Sequence, residues 1–471
     1  MAVPRPRPKL MVVGDSLAQG CRSLTVSRAF CSQSWPARLA AAQGWEFVSP
    51  DHPRPVLFDL EDEMRRLSTL GFALAGPRFE GIEPRFRRNL AEWLAGTAES
   101  SFPCFDNLAV AGALVGDVYA RTADTSAADI ANLTGGGNPN AALSVKAVGD
   151  LHVAVNARFT LNPTGDPAFA GFTMLDWVRA RQPETLVVQI GHNHGLYEVG
   201  SKAAAQPIDG PDKVYGAFWD QWARLAGELA ALPPEVGTVV VVLLPKVSAV
   251  ANLRPRGPNR TNGYADAYDP VFAPAARNLI GAELAGIDAQ VVAANDRVRA
   301  LVLEAATAAG TAGRVKFVDA YALFDAFDYK NRLDAARRID LGDGIVVDNR
   351  YLEAATERQN WFARPTRRWV AGGLQSVDGM HPTGCGYALF ACEVMAALGL
   401  PHDRTAVLRR GFAEDRLLSD VPGELGVLVR LLSLLRELDR LNQLAGDRTT
   451  LFGADSGLGD ALRFMRQAFV R

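Results

Sequence analysis

Lys9-Leu10-Met11-Val12-Val13-Gly14-Asp15-Ser16-Leu17-Ala18-Gln19-Gly20 is the stretch on which the fold turns. Its apolar run, Leu10 to Val13, has the length and composition of a buried strand. Gly14 lets the backbone turn sharply, so the next residues can enter a helix at once. A serine at such a turn stands clear of the sheet, with backbone N–H groups pointing at whatever it attacks. Asp15 and Ser16 would serve equally well as plain helix caps, so the rest of the chain has to decide.

Outward from this stretch, strand-like and helix-like segments alternate. A helix is expected over Ser34 to Gln43, with Pro36 in its first turn. An irregular insert follows, about 49–99, with Pro50, Pro53, Pro55, Pro77 and Pro84 and helices around Leu60 to Leu70 and Arg85 to Leu94. A short strand is expected to end near Asn107, with Gly112 and Gly116 in the turn beyond it. The 123–170 region is rich in Gly, Asn, Ala and Thr, and Gly135 to Asn140 reads as a loop. No Lys-Ser/Thr pair follows those glycines, which argues against a phosphate loop. A helix over Phe172 to Arg181 precedes a strand over Thr185 to Ile190, which opens onto Gly191-His192-Asn193-His194-Gly195. Then come a helix over Lys213 to Leu232, a strand over Thr238 to Leu244, one or two helices over Pro274 to Ala309, and a strand over Val315 to Ala320. A polar and aromatic insert, 325–371, leads to Ser376 to Gly386 and a helix over Tyr387 to Leu398.

This alternation predicts an α/β fold with a parallel sheet covered on both faces. Sites in such sheets form beyond the carboxyl ends of the strands, where Ser16, Asn107 and Asn193 all fall. The frame is expected to span 1–400, with inserts at about 49–99, 123–170, 200–212 and 325–371 capping the site. A helical extension, 401–471, completes the chain. In it, Leu425 to Leu444 places Leu428, Leu431, Leu432, Leu435 and Leu438 on one helical face. That face is read first as packed on the domain and second as a contact between copies of the chain.

Fifty basic and 52 acidic residues nearly cancel, so no global charge points to nucleic acid. The five cysteines, Cys21, Cys31, Cys104, Cys385 and Cys392, are odd in number and widely spaced. They read as buried free thiols rather than a disulfide framework, and no zinc-ligand spacing occurs. No run approaches the ~18 apolar residues of a membrane span, and there is no room for a leader before Ser16. The expectation is a soluble, cytoplasmic protein without a cofactor.

Acyl transfer through serine needs a base, a group that orients the base, and donors for the oxyanion. Of the six histidines, His381 stands out, with Asp378 three residues before it and Pro382 after. A D-x-x-H turn can set the carboxylate on Nδ1 and leave Nε2 for a serine. His52 and His402 lie beside prolines in loop-like sequence, and His152 lies in an undistinguished stretch.

Four blocks in this order make the chain resemble the GDSL, or SGNH, hydrolase superfamily. They are Gly14-Asp15-Ser16-Leu17, Asn107 through Gly112, Gly191-His192-Asn193-His194, and Asp378-Gly379-Met380-His381-Pro382. The resemblance implies a flavodoxin-like three-layer α/β/α sandwich with five parallel strands. It implies Ser16 as nucleophile, His381 as general base and then acid, and Asp378 as its partner. It also implies an oxyanion hole from the Ser16 and Gly112 backbone N–H groups and the Asn193 amide. His194 stands where the family's third block usually has Asp; it is read as bracing the loop, with His192 and His194 as the substrate-pocket alternatives. The implied activity is hydrolysis of a small-molecule carboxylic ester, in the manner of an esterase or lipase. An acyltransferase on the same machinery and a non-catalytic binding module are the other readings.

Overall fold

In a computed structural model of the chain, the described residues are 6–62, 82–96, 100–196, 199–200, 208, 211–212, 214–257, 263–270, 279–357 and 366–415. Leu10–Gly14 forms strand β1, and all of it is buried. Strands β2 (Thr185–Gln189), β3 (Thr238–Val242) and β4 (Val315–Val318) follow, and the four make one parallel sheet in the order β1-β2-β3-β4. Gly14 lies opposite Gln189, Gln189 opposite Val242, and Val242 opposite Val318. The strands therefore end level, and the loops that leave them stand side by side.

The two-residue alternation of side chains sorts the strands onto two cores. The helices that pack on the sheet or build its site include, in chain order, α1 (Ser16–Gln19), α2 (Trp35–Ala42), α3 (Val145–Leu161), α4 (Met174–Arg181), α5 (Phe218–Ala230), α6 (Gly281–Ala308), α7 (Gly384–Leu398) and α8 (Arg404–Glu414). Met11, Val13, Leu186, Val188, Val239 and Val241 pack with α4, α5 and α6, around the buried Trp177 and Trp222. Leu10, Val12, Val187, Val240 and Val242 pack with α2 and α7, around Trp35 and Tyr387. The Trp35 indole is satisfied by the Gln189 side chain at 2.7 Å. With both faces covered, the strands can be the continuous Val-rich runs that the sequence presents.

The expected fifth strand is not formed. Residues 106–110 run alongside β1, with the Val12 N–H on Asp106 O at 2.9 Å, the Leu108 N–H on Val12 O at 2.8 Å and the Val110 N–H on Gly14 O at 2.9 Å, but the only β-bridge formed there is Val12–Asn107. Asn107 also fixes the segment locally. Its side-chain oxygen takes the Ala109 N–H at 3.1 Å, and its amide donates to Ala18 O at 2.9 Å.

Other boundaries move less. The helix expected from Lys213 starts at Phe218, because Pro211–Asp212 and Gly216–Ala217 pair as short antiparallel strands. Where one or two helices are expected over Pro274 to Ala309, the described part holds a single helix, α6, which starts at Gly281 after the short strand Leu279–Ile280. The expected amphipathic segment from Leu425 to Leu444 lies outside the described residues, as does most of the one around Leu60 to Leu70. Small antiparallel sheets form between β3 and α6, from Leu253–Arg256 with Ala267–Pro270 and Leu279–Ile280, and in the 325–371 insert, from Ile339–Gly342 with Ile345–Val347. Lys246, just after β3 and fully buried, binds Asp325 at 2.7 Å and Asp328 at 2.9 Å, and so ties this region to the sheet. A buried ammonium is tolerable there because two carboxylates meet it. All five cysteines are free and buried. No helix among the described residues is long and apolar enough to cross a membrane.

Candidate active site

The site is built at the end of β1. The backbone of β2 comes so close to Gly14 that a Cβ there would lie 2.0 Å from Gln189 O, so only glycine fits. Asp15 then caps α1, accepting the Leu17 N–H at 3.2 Å, and Ser16 becomes the first helical residue. This leaves the Ser16 backbone N–H without a partner among the described residues, as expected of a first-turn donor. The Gly112 N–H likewise has no partner among them. Gly112 has φ +88°, and a Cβ on it would lie 2.4 Å from Val153 Cγ2 of α3. A side chain there would be strained and would push α3 away.

Asn193 follows the end of β2. Its amide donates one hydrogen to Ala113 O at 2.9 Å, in the same loop as Gly112, and keeps a second hydrogen available. His194 Nε2 accepts the Val115 N–H at 3.1 Å, and the ring packs on Phe218 with centroids 4.9 Å apart. Both residues thus hold the 113–115 loop. His192 Nδ1 meets Asp15 Oδ2 at 2.7 Å. Asp15 precedes Ser16 and His192 precedes Asn193, so this pair is a strut between two of the expected oxyanion donors.

The Asp378–His381 turn forms as the spacing requires, with His381 Nδ1 on Asp378 Oδ2 at 2.7 Å. Asp378 also accepts the N–H groups of Met380 at 2.8 Å, His381 at 2.9 Å and Leu24 at 2.8 Å. Burial alone would raise its pKa, but His381 and these donors hold it below the usual carboxylate range. For His381, burial disfavours the charged ring, yet negative charge on the Cys21 sulfur and on Asp378 raises its pKa well above 6.5.

The loop that follows Ser16 is clasped to this turn. Ser23 N–H donates to Ser376 Oγ at 2.9 Å, and Tyr387 of α7 donates to Cys21 O at 2.5 Å and Ser16 O at 3.5 Å. Arg22, buried, binds Glu61 at 2.8 Å and Asp415 at 2.9 Å. Asp415 in turn accepts the first N–H groups of α7, Gly384 at 2.7 Å and Cys385 at 2.9 Å. Ser16 and His381 are thereby brought to the same end of the sheet. Ser16 Oγ makes no hydrogen bond among the described residues, and the side chain lying against the imidazole is Cys21. A bond from nucleophile to base often closes only with substrate present.

Sequence reasoning missed the network beneath Ser16. Gln19 and Asn156 of α3 form a reciprocal amide pair, each bond 2.8 Å. Gln19 Oε1 also accepts the Ala111 N–H at 2.8 Å and so sets the peptide that leads into Gly112. His52 Nε2 lies 3.1 Å from Asn156 Oδ1. An amide on a short helix carries no sequence signal for such a role.

Burial lowers the His52 pKa from 6.5 to about 4, against the support of Asn156. The unfolded chain therefore binds a proton on this ring at a higher pH than the folded chain does. The resulting stability is present above about pH 6.5 and is lost as pH falls toward 4, by up to about 3 kcal/mol. Urea unfolding at about pH 7.5 and about pH 4.5 should show a smaller acid loss in His52→Gln than in the wild type. Equal losses would contradict a buried neutral His52.

Among the described residues, no group of three or more His, Cys, Asp or Glu is placed to hold a metal ion. Compared with known proteins, the chain matches no protein-family model, no curated protein and no solved structure.

Proposed function

We propose that this chain is a serine hydrolase of the GDSL/SGNH kind that cleaves a carboxylic ester through an acyl-enzyme. The observation that carries the reading is the meeting of two sets of groups at one sheet end. One is a serine whose own N–H and that of Gly112 have no partner among the described residues, with the Asn193 amide braced in the same loop cluster. The other is a buried imidazole oriented by a carboxylate. Ser16 would attack the carbonyl while His381 takes its proton. The three donors would hold the oxyanion, and His381 would return the proton to the leaving alkoxide. Water would then release the acid by the same route.

The fold is read as flavodoxin-like, with segment 106–110 holding the position beside β1. Counted as a position, it gives the order 2-1-3-4-5 of that architecture. The inserts are read as a cap, to which α3 contributes Val153 on Gly112.

A series of p-nitrophenyl esters of graded acyl length tests the activity and ranks the acyl group. No turnover across the series, together with no labelling by a fluorophosphonate, would overturn the reading. On the best ester, Asn193→Ala should lower kcat about 10²–10³-fold and leave KM nearly unchanged, since the oxyanion exists only beyond the ground state. His194→Ala should instead lower the urea midpoint, because the Val115 N–H loses its acceptor. A raised KM with normal kcat in Asn193→Ala would make Asn193 a substrate-binding residue.

A further inference from the structure

The three expected oxyanion donors are carried by one closed ring of contacts. Gly14 O accepts the Val110 N–H at 2.9 Å. Val110 opens a tight turn, closed by the Ala113 N–H on Val110 O at 3.0 Å, with Gly112 at its third position and φ +88°. A positive φ there is what a type II turn asks of glycine. Ala113 O accepts the Asn193 amide at 2.9 Å. His192, one residue back, donates from Nδ1 to Asp15 Oδ2 at 2.7 Å, and Asp15 follows Gly14. Ser16, Gly112 and Asn193 lie on this ring or next to it.

The links between its segments differ in kind. Val110 meets Gly14 through backbone groups, and Asn193 meets Ala113 through the expected donor itself. Only the Asp15–His192 link joins two side chains that are not themselves donors to the oxyanion. Both residues are buried, so water competes little for the bond. Asp15 Oδ1 meanwhile caps α1 on the Leu17 N–H at 3.2 Å. One carboxylate thus holds the turn of Ser16 with one oxygen and the loop of Asn193 with the other. His192 Nε2 is buried and has no hydrogen-bond partner among the described residues, so hydrogen bonding holds the ring by Nδ1 alone.

We infer that His192 is a positioning residue, which through Asp15 sets the gap between the Ser16 N–H and the Asn193 amide and so lets both reach one oxyanion. This rests on the hydrolase reading above. Donors to an oxyanion work by being fixed in advance, and a misplacement of about 1 Å can cost about 10²-fold. The ground-state carbonyl carries less charge and feels the shift less.

The test uses the full chain and two readouts. One is kcat and KM on the best p-nitrophenyl ester. The other is the rate at which a fluorophosphonate labels Ser16, where the Oγ–phosphorus bond forms, fluoride leaves and the phosphonyl oxygen takes the oxyanion position. His192→Leu and His192→Phe should each lower kcat about 10- to 10²-fold, keep KM within about twofold, and slow labelling to match. His192→Asn, whose amide nitrogen stands where Nδ1 does, should restore part of the rate, and His192→Gln should restore less. In an Asn193→Ala background, His192→Leu should cost less than about twofold more, because the donor it positions is gone. A merely loosened fold would cost the same factor in both backgrounds. Either apolar variant serves if the other fails to fold, and labelling rates carry the comparison if no ester in the series is turned over. Normal kcat and labelling in a folded apolar variant, or full additivity with Asn193→Ala, overturns the positioning role and leaves the hydrolase reading standing. Neither turnover nor labelling in the wild type overturns both.

Discussion

Ser16→Ala should lose all labelling by a fluorophosphonate and lower kcat/KM on the best ester by roughly 10⁴- to 10⁶-fold. The size of the effect follows from the placement of Ser16. It sits where the level strand ends, the Gly14 turn and the α1 N-terminus meet, and its own N–H and that of Gly112 have no partner among the described residues. Removing the hydroxyl leaves those donors intact, and the residual rate would report what they do alone. Mass spectrometry of the labelled peptide decides between Ser16 and its neighbour. Cys21 lies five residues on, against the same imidazole. Labelling that survives Ser16→Ala and disappears in Cys21→Ala would make the thiol the nucleophile.

His381→Ala should be nearly as damaging, and Asp378→Asn should cost roughly 10⁴-fold by releasing the ring from its tautomer. The pH profile gives a finer test. Activity needs the neutral imidazole, so kcat/KM should rise with pH through the His381 pKa. An unperturbed imidazole would put that limb near 6.5; here Cys21 and Asp378 outweigh burial and move it higher. Cys21→Ala should move the limb back toward lower pH. A limb below 6.5 in the wild type, or no movement in Cys21→Ala, would contradict the arrangement of these side chains.

What was legible in the sequence was local. Leu10 to Gly14 announces its strand by composition, and Asp378 reaches His381 and Met380 within a single turn. The sheet edge was less so. Asn107 has the flanks of a strand end, yet its amide is committed to Ala18 O, 89 positions away. The supports of the site were not legible at all. Gln19 meets Asn156 across 137 positions and Ala111 across 92. No periodicity or spacing records such pairings, since the fold alone makes them neighbours.

The contact of Tyr387 with Ser16 O spans 371 positions, and that of Arg22 with Asp415 spans 393. During synthesis at about 5–20 residues per second, the first strand and its serine would therefore wait roughly 20–75 s for the histidine turn to emerge. Through that interval Arg22 has Glu61 but not Asp415. The loop after Ser16 also lacks Ser376, Asp378 and Tyr387, which fix it in the finished chain. A nascent chain can thus carry the serine without the means to activate it. Competence would arrive in one late step, when α7 docks on the sheet and Asp415 closes over its first turn.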